Sequence, residues 1–186
     1  MEKEKKRNSR CAFIPQGTDI YIGIDPDATK NGVARVQKST RQASCRSITF
    51  PELVELLRGL VHYGKNYIVI IEAGWLNKSN WHLSHKDTKA VAAAKGNSAG
   101  RNHETGRKIA ELCLYYDIPH ILARPLKKNW KGKDGKITRE EIAAFTGITG
   151  RNNQEERDAL LLAWEYAGLP VKISSTKQQS FNHTNM

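Results

Sequence analysis

Two acidic side chains stand at the ends of two apolar runs in the sequence. Asp25 follows the apolar residues 20–24 and precedes a proline, and Glu72 follows the continuously apolar residues 67–71. An ionised carboxylate is seldom buried without a partner, so each is expected at the sheet edge where its strand ends. Taken alone, Asp25 is typical of a residue that starts a turn, because Asp-Pro cannot continue an ordinary strand.

A second pair of acids lies near the start of the last predicted helix. Glu155 and Asp158 are three residues apart and therefore share one face of that helix. Ala159 and Ala163 are small enough to let the helix approach a sheet closely. By themselves the two acids could be no more than favourable charges at a helix N-terminus.

The chemistry that these four residues could perform depends on their convergence. Four carboxylates brought together would repel one another and raise one another's pKa values unless a cation lay between them. Carboxylate oxygens are ligands of hard cations such as Mg²⁺. Two ions about 3.5–4 Å apart would stabilise the attacking and leaving oxygens of a phosphoryl transfer. The pattern therefore predicts a site for two Mg²⁺ or Mn²⁺ ions.

The positive charge of the chain is concentrated in one segment. The net charge is +11, and residues 124–139 alone contribute +6. The basic residues of this segment are Arg124, Lys127, Lys128, Lys131, Lys133, Lys136 and Arg139. A focused basic segment indicates a polyanionic partner, although it could also be a solvated loop. An acidic metal centre in a basic protein predicts a phosphodiester substrate, and hence a nuclease.

Hydrophobic periodicity predicts the elements that would position these residues. Residues 73–100 show no clear period, and the span between the last two helices contains breaking glycines. The order of elements predicts an α/β fold with a mixed sheet and helices on both faces. Strands are expected at residues 20–25, 32–36, 45–50, 67–72 and 118–123, and helices at 51–62, 102–116, 138–145 and 154–167.

Length and composition predict one domain with flexible ends. A chain of 186 residues can bury a core without disulfides, and its three cysteines are odd in number and lack a Cys-x-x-Cys spacing. No run is apolar enough to span a membrane, and the charged N-terminus lacks the apolar core of a secretory signal. We therefore expect a cytoplasmic protein with a basic arm at 1–17, a domain at 18–168 and a polar tail at 169–186.

The quoted motifs resemble a known family. Gly23-Ile24-Asp25-Pro26, Ile70-Ile71-Glu72 and Glu155-x-x-Asp158-Ala159-Leu160 resemble the RuvC-type Holliday junction resolvases of the ribonuclease H-like superfamily. The resemblance covers roughly residues 19–168. It implies a ribonuclease H-like mixed five-stranded sheet, with three antiparallel strands followed by two parallel ones. It also implies a homodimeric endonuclease that cuts branched DNA, above all four-way junctions, and leaves 5′-phosphate and 3′-hydroxyl ends.

The resemblance also assigns roles to individual residues. Asp25, Glu72, Glu155 and Asp158 would be catalytic metal ligands. The family has Asp or His at the third of these positions, so Glu155 departs from it, and Glu156 is an alternative. Lys127 or Lys128 would lie near the scissile phosphate. The residues expected to contact DNA are Trp75, Lys78, Arg101, Arg124, Lys131, Lys133, Lys136 and Arg139.

Three alternatives stay open at this stage. Trp75 could stack on bases of the junction, or it could be an anchor within the protein. The enzyme could instead cut RNA–DNA hybrids or flaps, because the metal chemistry would be the same. The chain could also be a non-catalytic module that binds branched DNA. His82-x-x-His85 has no further ligand nearby in the sequence, which argues against zinc.

Overall fold

The computed structural model describes residues 14–62, 64, 66–77 and 87–171. Most of the expected N-terminal arm and polar tail lie outside these residues, as do Lys78, His82 and His85. None of the helices in the described ranges is long and apolar enough to cross a membrane.

The centre of the fold is a mixed sheet of five strands. Strand β1 pairs antiparallel with β2, and β2 pairs antiparallel with β3. Strand β4 runs parallel to β1, and β5 runs parallel to β4, which gives the order β3-β2-β1-β4-β5. The predicted mixed sheet of five strands, three antiparallel followed by two parallel, is confirmed. The strands are β1 Ile20–Asp25, β2 Asn31–Gln37, β3 Ala43–Ile48, β4 Tyr67–Glu72 and β5 His120–Ala123.

Four α-helices and two short 3₁₀ helices complete the described structure. Helix α4 packs on one face of the sheet, over side chains such as Tyr21, Ala34 and Ile70. Helices α1 and α2 cover part of the other face, where Ile22 and Val69 are buried. The helices are α1 Phe50–Leu60, α2 Lys89–Tyr115, α3 Arg139–Thr146 and α4 Gln154–Tyr166, with 3₁₀ turns at Gly74–Leu76 and Lys133–Gly135.

Two glycines let α4 lie directly on the sheet. A Cβ atom at Gly23 of β1 would collide with the carbonyl oxygen of Ala159, and one at Gly32 of β2 would collide with that of Glu155. Both collisions would be with backbone atoms, which cannot rotate away as a side chain can. The close approach therefore fixes the first turns of α4 above the strand that ends in Asp25.

The main error of the sequence analysis concerns α2. The helix was expected at 102–116, but it begins at Lys89 and runs for 27 residues. Its buried residues are Gly106, Ile109 and Cys113, all in its second half. The first half has no apolar face to produce a period, so pattern analysis missed it. Thr88 caps the true start, with its hydroxyl accepting a hydrogen bond from the Val91 amide at 3.3 Å.

Two strand boundaries also differ from those expected. The third strand was expected to reach Phe50, but it ends at Ile48 because Thr49 caps α1. The Glu52 carboxylate accepts hydrogen bonds from the amide and hydroxyl of Thr49, each at 2.7 Å. The fifth strand begins at His120 rather than at Ile118. The other predicted elements agree with the structure to within about two residues, which is the usual uncertainty of such boundaries.

Candidate active site

Two strands place Asp25 and Glu72 at one edge of the sheet. Strands β1 and β4 are parallel neighbours, and Ile24 lies opposite Ile71. Asp25 and Glu72 are the next residues of these two strands, so their carboxylates leave the sheet side by side. Both side chains are partly buried, in contrast to the fully buried apolar residues that precede them.

Helix α4 adds Glu155 and Asp158 to the same edge. Asn153 caps the helix, accepting a hydrogen bond from the Glu156 amide at 2.9 Å. The Glu156 carboxylate returns the bond by accepting from the Asn153 amide at 3.1 Å. The Glu156 carboxylate is therefore engaged in capping the helix. Glu155, the sequence-based first choice, is the residue that faces the carboxylate cluster.

The four carboxylates line one cavity of about 220 Å³. Its lining also includes lysine side chains from the basic segment and some apolar residues. Asp27 and Asn102 also reach it, from the loop after β1 and from α2. Among the other lining residues are Lys127, Lys128, Trp130 and Lys136.

The electrostatics of the cavity are those of an acidic cluster whose negative charge nearby lysines offset only in part. Burial and then the negative charge of Glu72, Asp158 and Glu155 raise the pKa of Asp25 well above its ordinary value. Burial and then the charge of Asp158 raise the pKa of Glu72 to about 7. Burial also raises the pKa of Asp158, against a hydrogen bond of 2.7 Å that its carboxylate accepts from Gln154. Each of these carboxylates would be stabilised by an added cation.

The four side chains have the oxygen ligands that a hard divalent ion prefers, but they are not arranged as a preformed coordination shell. Within the described ranges, no three His, Cys, Asp or Glu side chains are arranged so that they could hold a metal ion. The four converging groups are all carboxylates, which are the oxygen ligands that Mg²⁺ and Mn²⁺ accept. Four negative charges repel one another, and this repulsion keeps the carboxylates apart when no cation lies between them.

The basic segment folds into a tight turn beside the cavity. The Trp130 amide donates to the Gly135 carbonyl at 3.0 Å, and the Gly132 amide donates to the Lys136 carbonyl at 2.9 Å. Asp134 and Gly135 occupy the left-handed region that such a turn requires. The ring of Trp130 packs on Phe145, with centroids 6.3 Å apart, and this contact attaches the turn to α3.

Lys136 is more central to the site than the sequence analysis expected. It was predicted only to bind DNA, yet its charge lowers the pKa values of Asp25, Glu72 and Asp158. Lys128 does the same for Glu72 and Asp158. The Asp134-Gly135 pair was the available signal, because Asp-Gly is typical of a turn that would fold the chain back and return Lys136 to the cavity.

Sequence reasoning also missed Asp27, Asn102 and Gln154. Gln154 precedes Asp158 by one helical turn, so the i, i+4 spacing could have predicted its hydrogen bond. Asp27 was interpreted only as part of a turn. Asn102 was noted only as the start of the central helix, and no local pattern links it to residue 27.

The remaining predicted DNA contacts lie around the cavity or farther from it. Trp75 is partly buried against Gly106, and the Arg107 guanidinium lies 5.6 Å from its ring centroid. Arg124 donates to the Leu76 carbonyl at 2.8 Å, and Arg139 donates to the Thr149 carbonyl at 2.7 Å. Arg124 and Arg139 are nevertheless exposed, as are Arg101, Lys131 and Lys133, whereas Lys136 is partly buried. The role of each in DNA binding stays a prediction.

Comparison with solved structures finds a distant similarity. The structure of T. thermophilus RuvC in complex with Holliday junction substrate is similar, with a TM-score of 0.44 and 16% sequence identity. The similarity covers 80% of this chain and 92% of the RuvC chain. No family model matches the sequence, and no curated protein matches it. The function has to be inferred from the residues of the cavity.

Proposed function

We propose that this protein is a metal-dependent endonuclease that cuts branched DNA, with four-way junctions as the preferred substrate. The observation that carries the proposal is the convergence of four carboxylates in one cavity with a rim of lysines. Asp25, Glu72, Glu155 and Asp158 come from two strands and one helix. An acidic centre beside a basic surface suits a substrate that is itself an anion and reacts at phosphorus.

The four carboxylates would hold Mg²⁺ or Mn²⁺, two ions in the fullest arrangement. When bound, these ions would supply the positive charge that stabilises the attacking and leaving oxygens of a phosphodiester. The chain itself supplies the rest of the site. Lys127 and Lys128, which line the cavity, would bind the phosphates flanking the cut. Lys136 balances the acidic cluster, and Gln154 holds the Asp158 carboxylate in place.

The substrate would lie across the cavity and the basic surface around it. Exposed Lys131 and Lys133 would contact backbone phosphates, as would Arg101 on α2. Trp75 would stack on a base where the duplex is interrupted. A symmetric homodimer would supply two cavities for paired cuts in a four-way junction. Lys78 lies outside the described residues, and its contact with DNA stays a prediction.

The proposal is tested by the cleavage of matched labelled substrates. A four-way junction, an RNA–DNA hybrid, a flap and a linear duplex are each incubated with Mg²⁺, with Mn²⁺ and with a chelator. We expect cutting of the junction that needs the metal. If the folded protein binds the junction but leaves it intact at every metal concentration, the proposal is wrong. Preferential cutting of the hybrid or the flap would identify the alternative nuclease.

Substitution of two carboxylates tests their role separately from folding. Asp25→Asn and Asp158→Asn should each lower the cleavage rate by about a thousandfold or more, since stabilisation of the transition-state charge is lost. Junction binding should persist or become tighter, because negative charge has been removed from the site. Glu104→Gln is the control, an exposed carboxylate on α2 that should leave the rate unchanged. Normal activity in either variant removes that residue from the proposed site.

A second candidate function is a non-catalytic module that binds branched DNA. The observation that favours it is the absence of a preformed group of three metal-ligating side chains among the described residues. This candidate predicts junction binding that is insensitive to the metal and to Asp25→Asn. A titration with Mn²⁺ distinguishes the two, because only the nuclease should bind the ion through its carboxylates.

A further inference from the structure

The loop that follows Asp25 is tied internally by side-chain hydrogen bonds. The Asp27 Oδ1 atom accepts from the amides of Thr29 and Lys30, at 2.8 and 3.2 Å. The Asp27 amide donates to the Oδ1 atom of Asn31 at 3.2 Å. Asn31 is completely buried at the start of β2. These bonds give the loop one shape, but they do not attach it to any other part of the fold.

That attachment is made by Asn102 of α2. The Asn102 Oδ1 atom accepts a hydrogen bond from the Ala28 amide at 3.0 Å. Its Nδ2 atom donates to the Oδ2 atom of Asp27 at 3.2 Å. One turn further along the helix, a Cβ atom on Gly106 would press against Pro26 and the ring of Trp75. The middle of α2 thus meets the loop through a polar pair and a close packing contact.

The two residues of the polar pair also face the candidate active site. Asp27 and Asn102 both line the cavity that holds the four carboxylates. Both oxygens of Asp27 already accept hydrogen bonds. These hydrogen bonds hold the Asp27 carboxylate in place beside the cluster.

The half of α2 that precedes Asn102 has no buried residue. It runs from Lys89 to Arg101 and extends over roughly 20 Å. Arg101 is exposed at the end of this half, directly before Asn102. A ligand that contacts Arg101 would therefore act on the helix within one turn of its attachment to the loop.

We propose that Asp27 and Asn102 form a positioning pair that sets the loop after Asp25 against α2 and couples the exposed half of that helix to the active site. The inference rests on the proposed nuclease function. Neither residue contacts the reacting atoms. Their contribution is to hold Asp25 and the loop beside it in the geometry that cleavage requires.

Exchange of the two side chains provides a sharp test. In Asp27→Asn two amide donors face each other, and in Asn102→Asp two carboxylates face each other, so each single variant breaks the bond. The double variant Asp27→Asn with Asn102→Asp reverses the donor and the acceptor, restores the bond and keeps the net charge. Aspartate at 102 can also still accept from the Ala28 amide. The matched control is Glu104→Gln, two residues away on the exposed face of the helix.

We expect each single variant to lower kcat by about tenfold, with little change in junction affinity, because a partly buried hydrogen bond is lost. The double variant should return to within about threefold of the wild-type rate, since the two changes are coupled. Amide hydrogen exchange at Ala28 and Thr29 should quicken in the single variants and slow again in the double variant. Where Asn102→Asp does not fold, Asn102→Ala removes both of its bonds without adding charge.

Two results would overturn the inference. One is a single variant with the wild-type kcat. The other is a double variant that recovers slow exchange in the loop but not the rate. Failure of the proposed function is distinguishable, because the wild-type protein would then cut no branched substrate. In that case the affinity for Mn²⁺ is measured in place of kcat. Single variants with the Mn²⁺ affinity of the wild type would show that the Asp27–Asn102 pair does not position the carboxylates.

Discussion

The two helices that meet the candidate active site are held in opposite ways. Helix α4 is short, and six consecutive residues, Ala159–Trp164, are buried between the sheet and elements such as α3, whose Phe145 packs on Trp164. Helix α2 is about twice as long, but it is buried only at Gly106, Ile109 and Cys113. The first helix fixes two carboxylates rigidly over β1. The second is anchored through its second half, and its first half has no buried residue. The fold thus holds the two helices beside the candidate active site to very different extents.

The largest effect should come from removing the close approach of α4. Gly23→Ala places a methyl group against the backbone of Ala159, which cannot move without displacing the helix. We expect the free energy of unfolding to fall by about 3 kcal/mol, at the upper end of the cost of overpacking. Chemical denaturation measures this change. Gly59→Ala is the control, because a Cβ there meets nothing within 4 Å. Equal stability of the two variants would contradict the tight packing of α4.

The second effect concerns the carboxylates that α4 and the strands bring together. The pKa of Glu72 is raised from 4.5 to about 7, so the folded state holds this proton more tightly than the unfolded state. The metal-free protein should therefore lose stability as the pH rises from 4.5 to about 7, with no further loss from this group above that range.

Glu72→Gln removes this loss. Above pH 7 the variant should be more stable than the metal-free wild type by roughly 3 kcal/mol, and the difference should vanish at pH values below 4.5. Thermal unfolding in the presence of a chelator, measured across this pH range, provides the test. Glu104→Gln, at an exposed carboxylate on α2, is the matched control for the substitution at the buried cluster. A constant difference at every pH would contradict the electrostatic explanation.

The same contrast explains what the sequence could predict. Asp25, Glu72 and the pair on α4 were found because apolar runs define their strands and helix, and the ends of those runs locate the acids. The first half of α2 has no apolar face, so it left no periodic signal. The position of Lys136 depends on the packing of Trp130 against Phe145, and the position of Asn102 on a bond to a residue 75 positions away. Such contacts are formed by the tertiary structure and are not encoded in a local pattern.

A smaller effect is expected from substitution of Lys136, whose positive charge lowers the pKa values of three carboxylates of the cluster. Lys136→Met removes a charge that acts on Asp25, Glu72 and Asp158. The metal-free protein should lose about 1 kcal/mol of stability, as for a partly screened ion pair. Mn²⁺ should bind several-fold more tightly, because a competing positive charge is gone. Lys133→Met is the control from the same turn, since Lys133 is exposed. Weaker Mn²⁺ binding would show that Lys136 does not compete with the ion.

The smallest effect tests the exposed half of α2. A Cβ atom at Gly96 meets nothing within 4 Å, so Gly96→Ala should cause no steric conflict. Alanine is the better helix former, and the variant should gain about 0.5–1 kcal/mol if this half is helical in the free protein. Chemical denaturation and far-ultraviolet circular dichroism measure the gain. A loss of stability would mean that this half packs against another surface, such as a second copy of the chain. If that surface is a second copy, Gly96→Ala should stabilise the protein only at concentrations low enough for it to be monomeric. The dependence of the effect on protein concentration therefore tests whether this half of α2 is in contact with a partner.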